Sequence, residues 1–189
     1  MLRTLSLACL VIAVSFGAQS RPFQHPFGEL REYHRHWLAV CPNEHQPGTD
    51  NDYYTSCWAS AWTGNPDGTF GGDFPGDRLS VLRNRSTGAI KITFVSDMVE
   101  NIDTDRPIEV RYSSGRIRDY TFGSDVTTNG NSLNEHTFTD PGQVEDIIAR
   151  MRRGSHVVIT LPTKTGERRM QFSTLGLRAA MGFLERYAN

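Results

Sequence analysis

Apolar and polar positions alternate with a period of two in several short segments of the chain, and this pattern, with short apolar runs, predicts strands. Trp37–Cys41 is a wholly apolar run and reads as the first strand. Thr55–Trp62 reads as the second, with Trp58, Ser60 and Trp62 on one face and Cys57, Ala59 and Ala61 on the other. Leu79–Arg83 and Ala89–Val95 read as a hairpin around Asn84–Gly88. Ile108, Val110 and Tyr112 repeat the alternation, and Ser113-Ser114-Gly115 turns the chain into Arg116–Phe122. Asn129-Gly130 signals another hairpin, leading to a strand near Glu135–Phe138. Val157–Leu161 and Arg168–Leu175 flank the turn Lys164-Thr165-Gly166.

The period changes to that of a helix at two places. Asp140 is an N-cap residue followed by Pro141, with Gln143 completing a capping-box pattern. Val144, Ile147, Ile148 and Met151 then form one apolar stripe, and Gly154 ends the helix. A second helix is expected from about Leu175 to Tyr187. Seven to nine strands with two late helices predict a mainly β fold, an antiparallel β-sandwich or flattened barrel with two helices near the C-terminus. No repeat or linker divides residues 36–189, which read as a single β-rich domain. Residues 21–35, polar and Pro-containing, read as an extended N-terminal lead-in.

Residues 1–20 are set apart by composition. Arg3 precedes an apolar run from Leu5 to Phe16, and Ala18-Gln19-Ser20 offers small residues for cleavage after Ser20. The pattern predicts a Sec-type signal peptide and a periplasmic or secreted mature chain. Cleavage after Gly17 is the alternative. Cys9 lies too early in the run, with Ser6 where a lipobox has Leu, to be a lipid-attachment site. After signal removal no segment approaches the ~20 apolar residues that span a bilayer.

Export changes the meaning of the cysteines. Cys41 and Cys57 are the pair that remains in the mature chain, and in an oxidising compartment such a pair forms a disulfide. The formal charge of −1 becomes slightly more acidic when Arg3 leaves. That balance gives no reason to expect nucleic acid or an anionic membrane as partner.

Candidate chemistry is sparse, and no cofactor motif is present. His34 and His36, two apart in an extended chain, would project to one side and could hold Zn²⁺ or Cu²⁺, although no acid or thiol completes the set. Tyr53, Tyr54, Trp58 and Trp62 fall within ten residues and form either a binding platform or core. Asp50-Asn51-Asp52 and Asp73 with Asp77 carry hard oxygens for Ca²⁺ but lack the closing Glu of a calcium loop, and read as solvated turns. Ser132, His136 and Asp140 have the residue types of a hydrolytic triad without a nucleophile elbow. A hydrolase site assembled from His34, His36, His136 or His156 would need tertiary convergence. Asn84-Arg85-Ser86 is a formal glycosylation sequon.

Two groups of residues carry a family resemblance. The first is Trp37-Leu38-Ala39-Val40-Cys41, followed after a loop by Cys57-Trp58-Ala59. The second is Met151-Arg152-Arg153-Gly154, then Val157, Gly166, Phe172-Ser173-Thr174-Leu175-Gly176-Leu177 and Ala179-Ala180. In this order, over roughly residues 35–185, the chain resembles the invasion-associated locus B family of exported alphaproteobacterial proteins. It departs from that family in its long inter-cysteine loop and in lacking a second cysteine pair in mid-domain. The resemblance implies a periplasmic or secreted β-sandwich without known catalysis, linked to host-cell invasion. Together these readings point to a non-enzymatic protein that binds an envelope protein or host component, with Trp58, Trp62, Tyr53 and Tyr54 as the contact residues. A carbohydrate- or small-ligand-binding module using the same aromatics is the alternative, and a hydrolase is the second alternative.

Cys41 and Cys57 close a loop worth about 3 kcal/mol of unfolded-state entropy. Reduction, or replacement of either by Ser, is expected to lower the melting temperature. An unchanged melting curve would show that the bridge contributes nothing to stability.

Overall fold

A computed structural model describes residues 21–44, 46, 52–63, 76–96, 102–129 and 132–188. The expected signal peptide, residues 1–20, and most of the loops around 47–51 and 64–75 lie outside the described residues. Strands β1 (Phe23–His25), β2 (Glu29–His34), β3 (Trp37–Pro42), β4 (Ser56–Trp62), β5 (Arg78–Asn84), β6 (Ile90–Val95), β9 (Val126–Asn129) and β10 (Ser132–Phe138) form the larger sheet. Its spatial order is β1-β2-β3-β4-β5-β6-β10-β9. Strands β7 (Ile108–Tyr112), β8 (Ile117–Tyr120), β11 (His156–Thr163) and β12 (Gly166–Ser173) form the smaller one, ordered β12-β11-β7-β8. All the strand pairs are antiparallel, and neither sheet closes on itself. The mainly β, sandwich-like class expected from alternation is the one observed, with α2 (Pro141–Met151) and α3 (Leu177–Tyr187) near the C-terminus.

Among the described residues twelve strands stand where seven to nine are expected. The extended segment 21–35 is not merely a lead-in, because it forms the β1–β2 hairpin and is paired to β3. Strand β9 and the one-turn helix α1 (Asp52–Thr55) are further additions. These elements are short, and Glu29–His34 lacks a clean polar-apolar alternation, so local pattern is a poor guide to them.

The register explains the core. Ala39, Ala59, Val81, Ile92 and Phe138 are cross-strand neighbours in one row, and all are buried on the inner face. Ile108, Val110, Val157, Ile159, Met170 and Phe172 of the smaller sheet belong to the same cluster. Alanine at the β3–β4 end of the row leaves room for α3, which packs there with Ala180, Phe183 and Leu184 buried. Helix α2 buries its expected stripe, Val144, Ile147, Ile148 and Met151. Among the described residues no helix is long and apolar enough to cross a membrane.

The disulfide Cys41–Cys57 joins β3 to β4 on this inner face. Both sulfurs lie near the carbonyl oxygen of Tyr187 at the end of α3, at 3.2 and 3.4 Å. The bridge is therefore capped by the last helix as well as closing the 41–57 loop.

Helix caps follow the sequence in part. Asp140 accepts a hydrogen bond from the Gln143 backbone N–H at 2.7 Å, as an N-cap should. The Gln143 side chain does not return to Asp140. It donates to Asp125 Oδ1 at 2.7 Å and ties α2 to the β8–β9 turn. Gly154 is not left-handed, since its φ is absent from the positive range occupied by other glycines. Its lack of a side chain makes space instead, because a Cβ there would displace the Ser113 hydroxyl, which accepts from the Ser155 N–H.

Gly176 is constrained twice. Its φ is +102°, and an added Cβ would run into the backbone carbonyl of His34. This contact seats the start of α3 against the β2–β3 turn, where the His36 N–H also donates to Leu175 O at 3.4 Å. Gly176→Ala is expected to cost about 2 kcal/mol or more, which lowers the melting temperature by roughly 4–8 °C or more. A melting curve within 1 °C of the parent would contradict this reading (a ~1 °C shift being about a quarter to a half of 1 kcal/mol).

Candidate functional site

The outer face of the larger sheet carries the polar counterpart of the core row. Ser60, Ser80, Thr93 and Thr137 are successive cross-strand neighbours on β4, β5, β6 and β10. Hydroxyls in a row can satisfy one another, and Ser60 Oγ lies 2.6 Å from Ser80 Oγ. Helix α1 lies over this row. The Tyr53 hydroxyl donates to Ser80 Oγ at 3.3 Å and lies 3.1 Å from Thr93 Oγ1. Arg78 donates to the same hydroxyl at 2.9 Å, and its guanidinium sits 4.8 Å from the Tyr53 ring centroid. A single helical turn has little stability of its own. These contacts, with a Lys91–Asp52 ion pair of 2.8 Å, hold it on the sheet.

Trp58 occupies this same outer face, edge-on to Tyr53 with 5.7 Å between ring centroids. The alternation read from the sequence is correct, with Cys57, Ala59 and Ala61 buried inward. Trp58 and Trp62 are half-buried, so neither is a bare platform and neither belongs to the inner core.

A groove of about 680 Å³ opens beside Trp58. One wall is the β1–β2 turn, Pro26 to Glu29, and the other is Tyr53 and Tyr54 of α1. Pro42, Asn43, Glu44 and Gln46 form its rim, and Arg78 lies at its base. The structure thus brings three of the four expected aromatics together, while Trp62 lies on the same face outside the groove. Two of the aromatics that line it are open to solvent, Phe27 at 79% and Tyr54 at 50%, and Phe23 (41%) and Tyr33 (53%) are exposed outside its lining. Phe23 and Tyr33 stack at 6.1 Å on β1 and β2.

Phe23, Phe27, Tyr33 and Arg78 escaped the sequence reading. The first three lie in a segment read as lead-in, and Arg78 borders a Gly-rich loop. The available signal was the turn Pro26-Phe27-Gly28, which places an aromatic at a hairpin tip where burial is impossible. Chemically the groove offers aromatic faces, carboxylates from Glu29 and Glu44, amides from Asn43 and Gln46, and one guanidinium. Among the described residues that line it, none is a nucleophile paired with a base.

The histidines fall on different elements. The premise of an extended chain through His34 and His36 is overturned, because Arg35 adopts φ 56° and Arg35-His36 forms the β2–β3 turn. His34 ends β2 and points under α3, 6.4 Å from the Phe183 ring and 3.7 Å from Glu32. Burial lowers its pKa, opposed by Glu32 and aided by Arg186. Among the described residues no three His, Cys, Asp or Glu side chains gather as a metal site. Asp52 pairs with Lys91 and Asp77 with Arg168, whereas Asp50, Asn51 and Asp73 lie outside the described residues. Asn84 of the formal sequon uses its side-chain oxygen to accept from the Ser86 and Thr87 N–H groups, closing the β5–β6 turn.

The suspected triad does not form around His136. Asp140 caps α2, and His136 lies in the core with Phe94 at 4.9 Å and Phe122 at 5.8 Å. Its Nδ1 is 3.2 Å from Thr128 Oγ1. His156 is remote in role, at the start of β11 beside Ser155.

His136 is fully buried, and desolvation lowers its pKa to about 4. Between about pH 6.5 and 4 the unfolded chain therefore binds the proton and the folded chain does not. Stability is present above the unfolded value and falls as pH drops through this window, by about 3 kcal/mol in total. His136→Phe is expected to flatten the pH dependence of urea unfolding between pH 6.5 and 4. An unchanged slope would place the acid sensitivity elsewhere. The chain matches no protein-family model, no curated protein and no solved structure.

Proposed function

We propose that the mature chain is an exported, non-enzymatic binding protein whose aromatic groove receives a segment of an envelope protein or host component. The observation that carries this reading is the convergence of Phe27, Tyr54 and Trp58 around one groove, with Phe23 and Tyr33 exposed on strands β1 and β2 outside its lining. Exposed aromatics cost solvation without adding to the core, and clustered ones characterise interaction surfaces. Tyr53 is fixed by Arg78 and the hydroxyl row, so its side of the groove is pre-organised. The resemblance to the invasion-associated locus B family agrees with an exported interaction protein, and the expected signal peptide with a periplasmic or secreted location.

A carbohydrate is the second reading. Its specific support is the rim of Asn43, Glu44, Gln46 and Glu29 next to Tyr54 and Trp58, since sugars pair ring faces with aromatics and hydroxyls with amides and carboxylates.

Tyr54 and Phe27 are exposed, so their replacement should leave folding intact. Crosslinking in intact cells followed by mass spectrometry is expected to capture one dominant partner, lost in Phe27→Ala and Tyr54→Ala. Each substitution should weaken that partner about tenfold or more. A partner retained by both variants would remove the groove from consideration. Quenching of Trp58 fluorescence by glycans, with no protein captured, would move the reading to carbohydrate.

A further inference from the structure

A second cavity, of about 690 Å³, lies where the β7–β8 turn meets the end of α2. It shares no residue with the aromatic groove. Its polar lining comes from Ser113, Ser114 and Arg116 on one side and from Arg150, Arg153 and Ser155 on the other.

The two sides are laced together. The Ser155 N–H donates to Ser113 Oγ at 3.1 Å, and the Ser113 N–H donates to His156 O at 3.1 Å. Gly154 lets the Ser113 hydroxyl sit against the backbone. Thr174 Oγ1 donates to Gly154 O at 2.7 Å, which anchors this turn from behind. The cavity wall is therefore fixed by hydrogen bonds rather than assembled from loose loops.

The charge is unbalanced. Arg150 is held by Asp146 at 2.6 Å and lies 5.8 Å from the Tyr112 ring centroid. Asp146 stays ionised, its carboxyl held below the usual range by the Arg150 hydrogen bond and by the charges of Arg150, Arg118 and Arg116. Arg116 and Arg153 are exposed, and among the described residues neither forms a close ion pair, Arg116 acting on Asp146 only from a distance. Cations in the last turn of a helix offset its dipole by about 0.3–1 kcal/mol each, which accounts for Arg150 and Arg153. It does not account for Arg116, which arrives from a different element and repels them.

We infer that this cavity binds the phosphate group of a phosphate ester. Guanidinium groups pair bidentately with phosphate oxygens, and serine hydroxyls supply further donors. Three arginines from two elements offer more donors than the two oxygens of a carboxylate can use. The cavity is several times larger than one phosphate group and leaves room for the organic part of an ester. The site stands or falls independently of the aromatic groove.

The mature protein would be titrated at constant ionic strength with inorganic phosphate and with glycerol phosphate, followed by calorimetry, with sodium chloride as control. In parallel it would be sedimented with phosphatidylcholine vesicles with and without phosphatidylglycerol. Saturable binding is expected, weakened about tenfold or more in Arg116→Gln and in Arg153→Gln. Both side chains are exposed, so the variants should melt like the parent. Arg116→Lys, which keeps the charge and loses the fork, should fall between. Binding of the soluble anions without sedimentation would identify a free phosphate ester as the source. Arginine-dependent sedimentation with phosphatidylglycerol vesicles alone would identify a lipid headgroup. No saturable binding in any arm, or normal binding by folded Arg116→Gln and Arg153→Gln, would overturn the inference.

Discussion

The docking of the C-terminal segment onto the β2–β4 region is the contact on which the rest of the structure depends. Trp37 is completely buried, and its indole N–H donates to Ser173 O at 2.9 Å, joining the first core strand to the last strand of the other sheet. Three residues later Gly176 passes directly over the His34 carbonyl, an approach that no side chain permits. Helix α3 then runs across β2, β3 and β4 until the Tyr187 carbonyl reaches the disulfide sulfurs. The same segment thus covers the alanines at the thin end of the core, fixes the β2–β3 turn and roofs the cysteines. These contacts span 130 residues of sequence or more, so a large closure entropy precedes them and packing must repay it.

Strand β4 links this closure to the binding face. Its inward residues, Cys57, Ala59 and Ala61, are core, and its outward residues, Trp58, Ser60 and Trp62, face α1 and the hydroxyl row. The side-chain period of a strand makes the two sets inseparable: a one-residue slip would exchange them. The bridge from Cys57 to Cys41 holds β3 and β4 together from within while Tyr53 and Arg78 organise the outer side. The rigidity of the groove floor is a consequence of core packing one residue away.

Local charge matters more here than net charge. The chain as a whole is close to neutral, with 20 basic and 21 acidic residues. Much of that charge is spent in pairs such as Arg106–Glu167, Arg111–Glu109 and Arg168–Asp77. The exposed ones, Arg106–Glu167 and Arg111–Glu109, contribute little stability, ~0–1 kcal/mol each, whereas Asp77 is buried. The exception is the end of α2, where guanidiniums from two elements outnumber the neighbouring carboxylate. A sum over the whole chain conceals such a local excess, which exists only because the β7–β8 turn and α2 meet.

The sequence by itself determined the strands with clear alternation, the helix from Pro141 with its Asp140 cap, the closing helix and the cysteine pair. Each of these is encoded by neighbours within one or two turns or strand repeats. It also assigned the correct faces of β4. What tertiary structure decided was everything resting on distant neighbours. The β1–β2 hairpin is too weakly patterned to be seen alone and becomes two strands by pairing with β3. His34 and His36 part because Arg35 and His36 make the β2–β3 turn while His34 stays in β2, and His136 proves to be core because Phe94 and Phe122 enclose it. Gly154 was legible as a helix end, but its reason, the Ser113 hydroxyl, lies forty-one positions upstream by number and adjacent in space. Tyr53, Tyr54 and Trp58 were visible as aromatics, whereas the groove needs Phe27 from another hairpin and Arg78 from another strand. Short-range periodicity specifies elements and faces, and only the packing of those faces specifies which side chains share a cavity.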